Sequence, residues 1–251
     1  MLAADGTGED RVARDLAAHS LAGRVWAHRA LAERVSSARY LRLARGLARA
    51  GVPRALVERA EGAAADERRH AELCEAMAVA LGAEVDADTP PTAWRPLRDR
   101  EDTLREAVAF CAVSESMNAT LMAVALHRTQ HEATRALLRT LLADEVQHAR
   151  LGWAVVAFER GRGDCAALSS TLLPLLEQAV SEELREAGSQ AAGATDEIGA
   201  GYGLLTAQER LALIAATLRD VVLPGLAEAG VDTAAARAWA QHHLPWQEAS
   251  A

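Results

Sequence analysis

Lysine is missing from this 251-residue chain; all 27 basic residues are arginine. A GC-rich genome accounts for that bias, so no arginine-specific function is read from it. Aromatic residues make up only 4%. Three cysteines, Cys74, Cys111 and Cys165, have neither paired spacing nor a C-x-x-C. That excludes a disulfide framework and reads as reduced thiols in a cytosol. No apolar run approaches the roughly 18–20 residues that span a bilayer. The N-terminus, "MLAADGTGEDRVARDL", lacks a basic stretch followed by an apolar one. The expectation is a cytoplasmic protein with no membrane partner. A net charge of −8 with signs interspersed argues against phosphate-backbone binding, so no nucleic-acid partner is expected.

No segment alternates like a strand; what is present is alanine and leucine, both strong helix formers. Half of the chain is apolar, enough for one large helical domain or a bundle with an appendage. Residues 25–50 place Trp26, Ala30, Ser37, Ala44 and Leu47 on one face and stop at Gly51, with Pro53 beyond. A second helix covers 54–82. Residues 83–99, with Pro90, Pro91 and Pro96, cannot be helical throughout. From Glu101 to Gly161 no glycine or proline marks a turn until Gly152. One unbroken helix of that length would run about 90 Å, so a turn is placed near Gln130–Ala133. Three regions follow: an N-terminal segment (1–21), a helical bundle (22–160), and a C-terminal helical extension (161–251) that includes the glycine-rich "AAGATDEIGAGYG".

One unit recurs. Asp-Glu-x-x-His-Ala-x-Leu occurs at Asp66, Glu67, His70 and again at Asp144, Glu145, His148. On a helix, residues three apart share a face, so each Glu and His point the same way. If both faces turn inward, the buried charge must pair or bind metal. Two divalent ions need further carboxylates, and each hairpin should supply one level with its Glu-x-x-His. Glu33 lies opposite Glu67 across the turn at 50–52; Glu115 lies opposite Glu145 if the turn is near residue 130. The other reading of Glu33 is an exposed acid paired with Arg29 or Arg34. Glu115, on an otherwise apolar stretch, has no basic neighbour within a turn.

With these six positions the chain resembles the ferritin-like di-iron carboxylate superfamily: helix-Glu, helix-Glu-x-x-His, long crossover, helix-Glu, helix-Glu-x-x-His. The resemblance covers roughly 22–160. It is closest to a bacterial ferritin-like branch of unsettled activity, from which the chain departs at Arg34, where histidine is usual. It implies an all-α ferritin-like four-helix bundle, with 83–99 as the crossover, and metal ligands Glu33, Glu67, His70, Glu115, Glu145 and His148. Asp66 and Asp144 would each accept the free N–H of the opposite hairpin's histidine. Oxygen-rich ligands with two imidazoles suit two iron ions, with manganese, alone or beside iron, fitting the same set. The oxidant would be O2 or H2O2.

The expected function is an O2-activating oxidase or oxygenase acting on a small organic substrate, with no catalytic residues beyond the ligands. The alternative is a ferroxidase, iron-storage or peroxide-scavenging protein, which leaves the C-terminal residues unexplained. The pattern leaves room for an electron-donor partner and for a homodimer. Small residues near the ligands (Ala30, Ser37, Ala63, Ala64, Cys111, Ala119, Gly152) are consistent with a substrate cavity, Gly152 most of all. Tyr40 reads as a core tyrosine ahead of a gate or electron relay. His127 and His131 face away from the site, and His242 and His243 carry no spacing signal.

The thiols measure the topology. With Glu67 and Glu115 level and their helices parallel, Cys74 and Cys111 lie on opposite sides of the site, about 16 Å apart along the axis. A disulfide needs Cα atoms roughly 4.4–6.8 Å apart. Mild oxidation and peptide mapping should therefore find no intramolecular Cys74–Cys111 bridge.

Overall fold

A computed structural model describes residues 8–85, 95–163, 165–190 and 197–246. Every element among the described residues is a helix. α1 (Gly8–Arg49) and α2 (Arg54–Ala80) form an antiparallel hairpin. α3 (Arg100–Glu106) runs through a π-helical segment (Ala107–Ser114) into α4 (Glu115–Arg128), and α5 (Glu132–Arg160) returns beside it. Gly51, at φ +70°, turns the first hairpin in a conformation that favours glycine. Because α1 is already helical from Gly8, the boundary placed at residue 21 falls inside a helix. Of the proline-rich 83–99 segment, residues 86–94 lie outside the described residues, and the flanking 83–85 and 95–98 are not helical.

Helix direction follows from the core. One apolar group joins Trp26 and Ala30 of α1, Cys74 and Met77 of α2, Met122 and Ala125 of α4, and Leu138 and Leu141 of α5. The other joins Tyr40 and Leu47, Ala60 and Ala64, Leu104 to Val113, and Leu151 and Val155. Both α2 and the α3–α4 rod travel from the second group to the first, so they run parallel, and the chain between them must cross the length of the molecule. Cys74 and Cys111 fall in different groups; all three cysteines are buried and free.

Described residues after 163 pack on this core. Beyond a 3-10 turn (Cys165–Ser170) come α6 (Leu172–Gln190), α7 (Glu197–Gly201), α8 (Ala207–Thr217), a π segment (Leu218–Val222), α9 (Leu223–Glu228) and α10 (Ala234–His243). Leu168, Leu172, Leu176, Ile214, Leu218 and Leu223 are buried in the same apolar group as Tyr40 and Phe110. Part of the glycine-rich stretch read as a loop is the helix α7; residues 191–196 of it lie outside the described residues. The Gly201 carbonyl accepts from Thr129 Oγ1 (2.7 Å), Gln130 N (2.8 Å) and His131 N (3.0 Å), tying α7 to the α4–α5 turn. Among the described residues one helix, Arg100–Arg128, is long and apolar enough to cross a membrane; 61% of its most apolar window is buried against other helices.

Gly152 has a different role from the one its sequence suggests. A Cβ there would lie 2.3 Å from Ala112 N and 2.6 Å from the Cys111 carbonyl carbon. Glycine therefore lets α5 lie against the π backbone, and the space beside it is filled by main chain. Gly152→Ala should destabilise the protein by about 1–3 kcal/mol through overpacking. Gly62→Ala, in α2 with nothing within 4 Å of the added carbon, should stabilise it by about 0.5–1 kcal/mol. Denaturant unfolding of the two variants checks both signs.

Candidate metal centre

The level counted from sequence is the level at which the four long helices converge. Glu33 on α1, Glu67 and His70 on α2, Glu115 at the start of α4, and Glu145 and His148 on α5 are all buried. They form two groups that could hold a metal ion: Glu33, Glu67, His70, Glu145 and Glu67, Glu115, Glu145, His148. Within each group one ligand atom per residue lies within 4.8 Å of the others. Glu67 and Glu145 belong to both. Glu67 Oε2 faces His70 Nδ1 at 3.3 Å while its Oε1 faces His148 Nδ1 at 3.2 Å. Glu145 does likewise, with Oε2 at 3.2 Å from His148 Nδ1 and Oε1 at 4.0 Å from His70 Nδ1. Each shared carboxylate thus offers one oxygen to each half.

Such a cluster is costly unless its charge is compensated. Burial, followed by the neighbouring Glu33 and Glu145 charges, holds the Glu67 carboxyl well above the usual carboxylate range. Burial and then Glu145 do the same for Glu115, against the hydrogen bond from Tyr40. For Glu145 burial pushes upward too, but His148 and Arg29 outweigh it and draw the group down to about 2. Glu67 Oε2, His70 Nδ1 and Glu145 Oε1 have no hydrogen-bond partner although buried. Buried polar atoms are nearly always satisfied; here three of them converge on one small space, and a cation would satisfy all three.

The outer ring matches the resemblance on one side more closely than on the other. Asp144 Oδ2 is 3.1 Å from His70 Nε2, whereas Asp66 Oδ2 is 3.6 Å from His148 Nε2. Arg69, which the sequence did not single out, donates to Asp66 at 2.9 Å and to Asp144 at 3.0 Å. Arg34, flagged as a cation beside Glu33, instead pairs with Glu75. The cation beside Glu33 is Arg29, whose Nε donates to Glu33 Oε1 at 2.9 Å; Glu33 is nevertheless buried, so pairing and site membership are not alternatives.

Tyr40 is a fully buried core residue, and it also touches the site, donating its hydroxyl to Glu115 Oε1 at 2.8 Å with its ring centre 5.2 Å from that of His148. Ser37 donates to the Ala64 carbonyl at 2.8 Å, so this small residue joins α1 to α2. His131 caps α5, accepting from Thr134 N, while His127, His242 and His243 are exposed.

Space does exist at the site, on the α1–α6 side. A cavity of about 160 Å³ is lined by Glu33, Glu115, Phe110, Ala179, Glu182 and Arg210 among others. It shares His28, Ala32, Ser36, Arg39, Ser114 and Ala179 with a groove of about 930 Å³ reaching out to Leu97 and Leu175. Ala179 and Glu182 lie on α6 and Arg210 on α8, so the C-terminal helices form one wall of the approach. No protein-family model, curated protein or solved structure matches the chain.

A carboxyl whose pKa is raised on folding stabilises the protein while protonated, and that contribution disappears as pH rises through the folded value. Glu67 and Glu115 are both of this kind. The stability of chelator-treated protein should therefore fall as pH rises above the ordinary carboxylate range, and Glu67→Gln should flatten that slope. Denaturant titrations at several pH values check it.

Proposed function

We propose that this is a ferritin-like di-metal oxidoreductase that activates O2 and oxidises a small organic molecule reaching the site through the α1–α6 groove. The observation that carries the reading is the pair of four-residue groups sharing Glu67 and Glu145, with unpartnered buried atoms turned inward. Glu33 and His70 would hold one ion, Glu115 and His148 the other, with Glu67 and Glu145 between them. Four oxygen ligands and two imidazoles suit iron or manganese. Two such ions supply electrons to O2 together. The parallel α2 and α4, joined across the molecule's length, support the ferritin-like connection.

The chain's own residues prepare this chemistry. Asp144 holds His70 by its outer nitrogen, so that Nδ1 faces inward. Tyr40 fixes one oxygen of Glu115. The apolar groups on either side keep water from competing for the carboxylates. The cavity beside Glu33 and Glu115 mixes Phe110, Ala32 and Ala179 with Arg39, Glu182 and Arg210, a lining that would suit a small organic molecule carrying a polar group.

Anaerobic ferrous loading should give about two ions per chain, falling toward zero or one in Glu67→Ala and His148→Ala. Ala179→Phe should leave that metal content intact while slowing substrate-dependent O2 consumption by about tenfold or more, since it fills the approach without touching a ligand. Metal-free protein after loading removes the site assignment. Rapid iron oxidation into a large mineralised assembly, unaffected by Ala179→Phe, favours the ferroxidase alternative.

A further inference from the structure

The two halves of the centre match in ligands and differ in what leans on them. On the Glu115 side the neighbour is a neutral hydroxyl: Tyr40 donates to Glu115 Oε1 at 2.8 Å. On the Glu33 side it is a guanidinium, which is charged at any pH the protein experiences. Arg29 Nε donates to Glu33 Oε1 at 2.9 Å. One of its terminal nitrogens reaches Asn118 Oδ1 at 2.9 Å, across the hairpin boundary, and lies 3.8 Å from Glu145 Oε1. That Glu145 oxygen is the one turned toward His70, and it has no hydrogen-bond partner. Arg29 thus pairs with the carboxylate that belongs to one group only, Glu33, and nears Glu145 at the oxygen turned to that same group.

We infer that the two metal positions are inequivalent, and that Arg29 makes them so. This rests on the di-metal reading above. An ion entering among Glu33, Glu67, His70 and Glu145 must compete with a fixed cation for Glu33 and sit close to its charge. That repulsion acts directly at Glu33, from a guanidinium 24% exposed, and has no counterpart in displacing the neutral Tyr40 hydroxyl from Glu115. An ion entering among Glu67, Glu115, Glu145 and His148 instead displaces the Tyr40 hydroxyl from Glu115, and Arg29 reaches that group only through the shared Glu145. The Glu115–His148 position fills first and the Glu33–His70 position second, so a protein short of metal holds single ions in place of pairs. Arg29 also lines the cavity that reaches both Glu33 and Glu115, so the residue that sets the asymmetry lies where small molecules arrive.

Manganese(II) is a suitable probe, because an isolated ion and a coupled pair have different electron paramagnetic resonance spectra. Metal-free full-length protein titrated with manganese should show the isolated-ion spectrum up to about one equivalent and the coupled-pair spectrum only on further addition. The two affinities should differ by about tenfold or more. Arg29→Gln should narrow that gap at least tenfold by strengthening the second step, and Arg29→Lys, which keeps the charge, should preserve much of it. Glu33→Gln should abolish the second step and spare the first, while Glu115→Gln should weaken the first. Equal affinities in the unaltered protein overturn the inference, as does a gap that survives Arg29→Gln or a first step lost in Glu33→Gln. Two equal sites contradict the asymmetry and leave the di-metal reading standing; no manganese bound at all removes both.

Discussion

Four carboxylates and two imidazoles buried together set the terms for the rest of this molecule. Their mutual repulsion is relieved in part by Arg29 and by the Tyr40 hydroxyl. Burial and the neighbouring charges still hold the Glu67 and Glu115 carboxyls well above the usual carboxylate range. The relief is incomplete, since Glu67 Oε2, Glu145 Oε1 and His70 Nδ1 stay unpartnered. A site that is strained without metal and satisfied with it couples ligand affinity to folding.

The fold holds those charges at one height. Two antiparallel hairpins each deliver a single glutamate and a Glu-x-x-His, and apolar groups close the ends above and below. In the second hairpin a π segment ends where Glu115 begins, and π turns are frequent at functional sites. Gly152 lets α5 approach that segment's backbone. The C-terminal helices complete the same core and wall the approach to the site, so their residues belong to the domain's stability as well as to access.

Much of the site was legible because the repeat is simple. Asp66-Glu67-x-x-His70 and Asp144-Glu145-x-x-His148 fix helix faces by spacing alone; counting back across the turn at 50–52 reached Glu33, and Glu115 followed once a turn was placed near residue 130. What spacing could not show was the direction of long side chains. Arg29, four residues before Glu33 and on its helix face, turns to the cluster, whereas Arg34, next to Glu33 in sequence, reaches Glu75 across the hairpin. The π segment has no breaker or polar residue to mark it, only the unusual glycine opposite, whose helix-weakening composition was taken as open space. The functions of α6 and α8 as walls of a groove were equally hidden, because their acids and arginines form no repeat.

X-ray anomalous scattering measured at the metal's absorption edge, on crystals of iron- or manganese-loaded protein, tests the central claim most directly. The account predicts two peaks, one among Glu33, Glu67, His70 and Glu145 and one among Glu67, Glu115, Glu145 and His148, with the stronger peak on the Glu115 side at limiting metal. A loaded crystal with no anomalous density between Glu67 and Glu145 would contradict it.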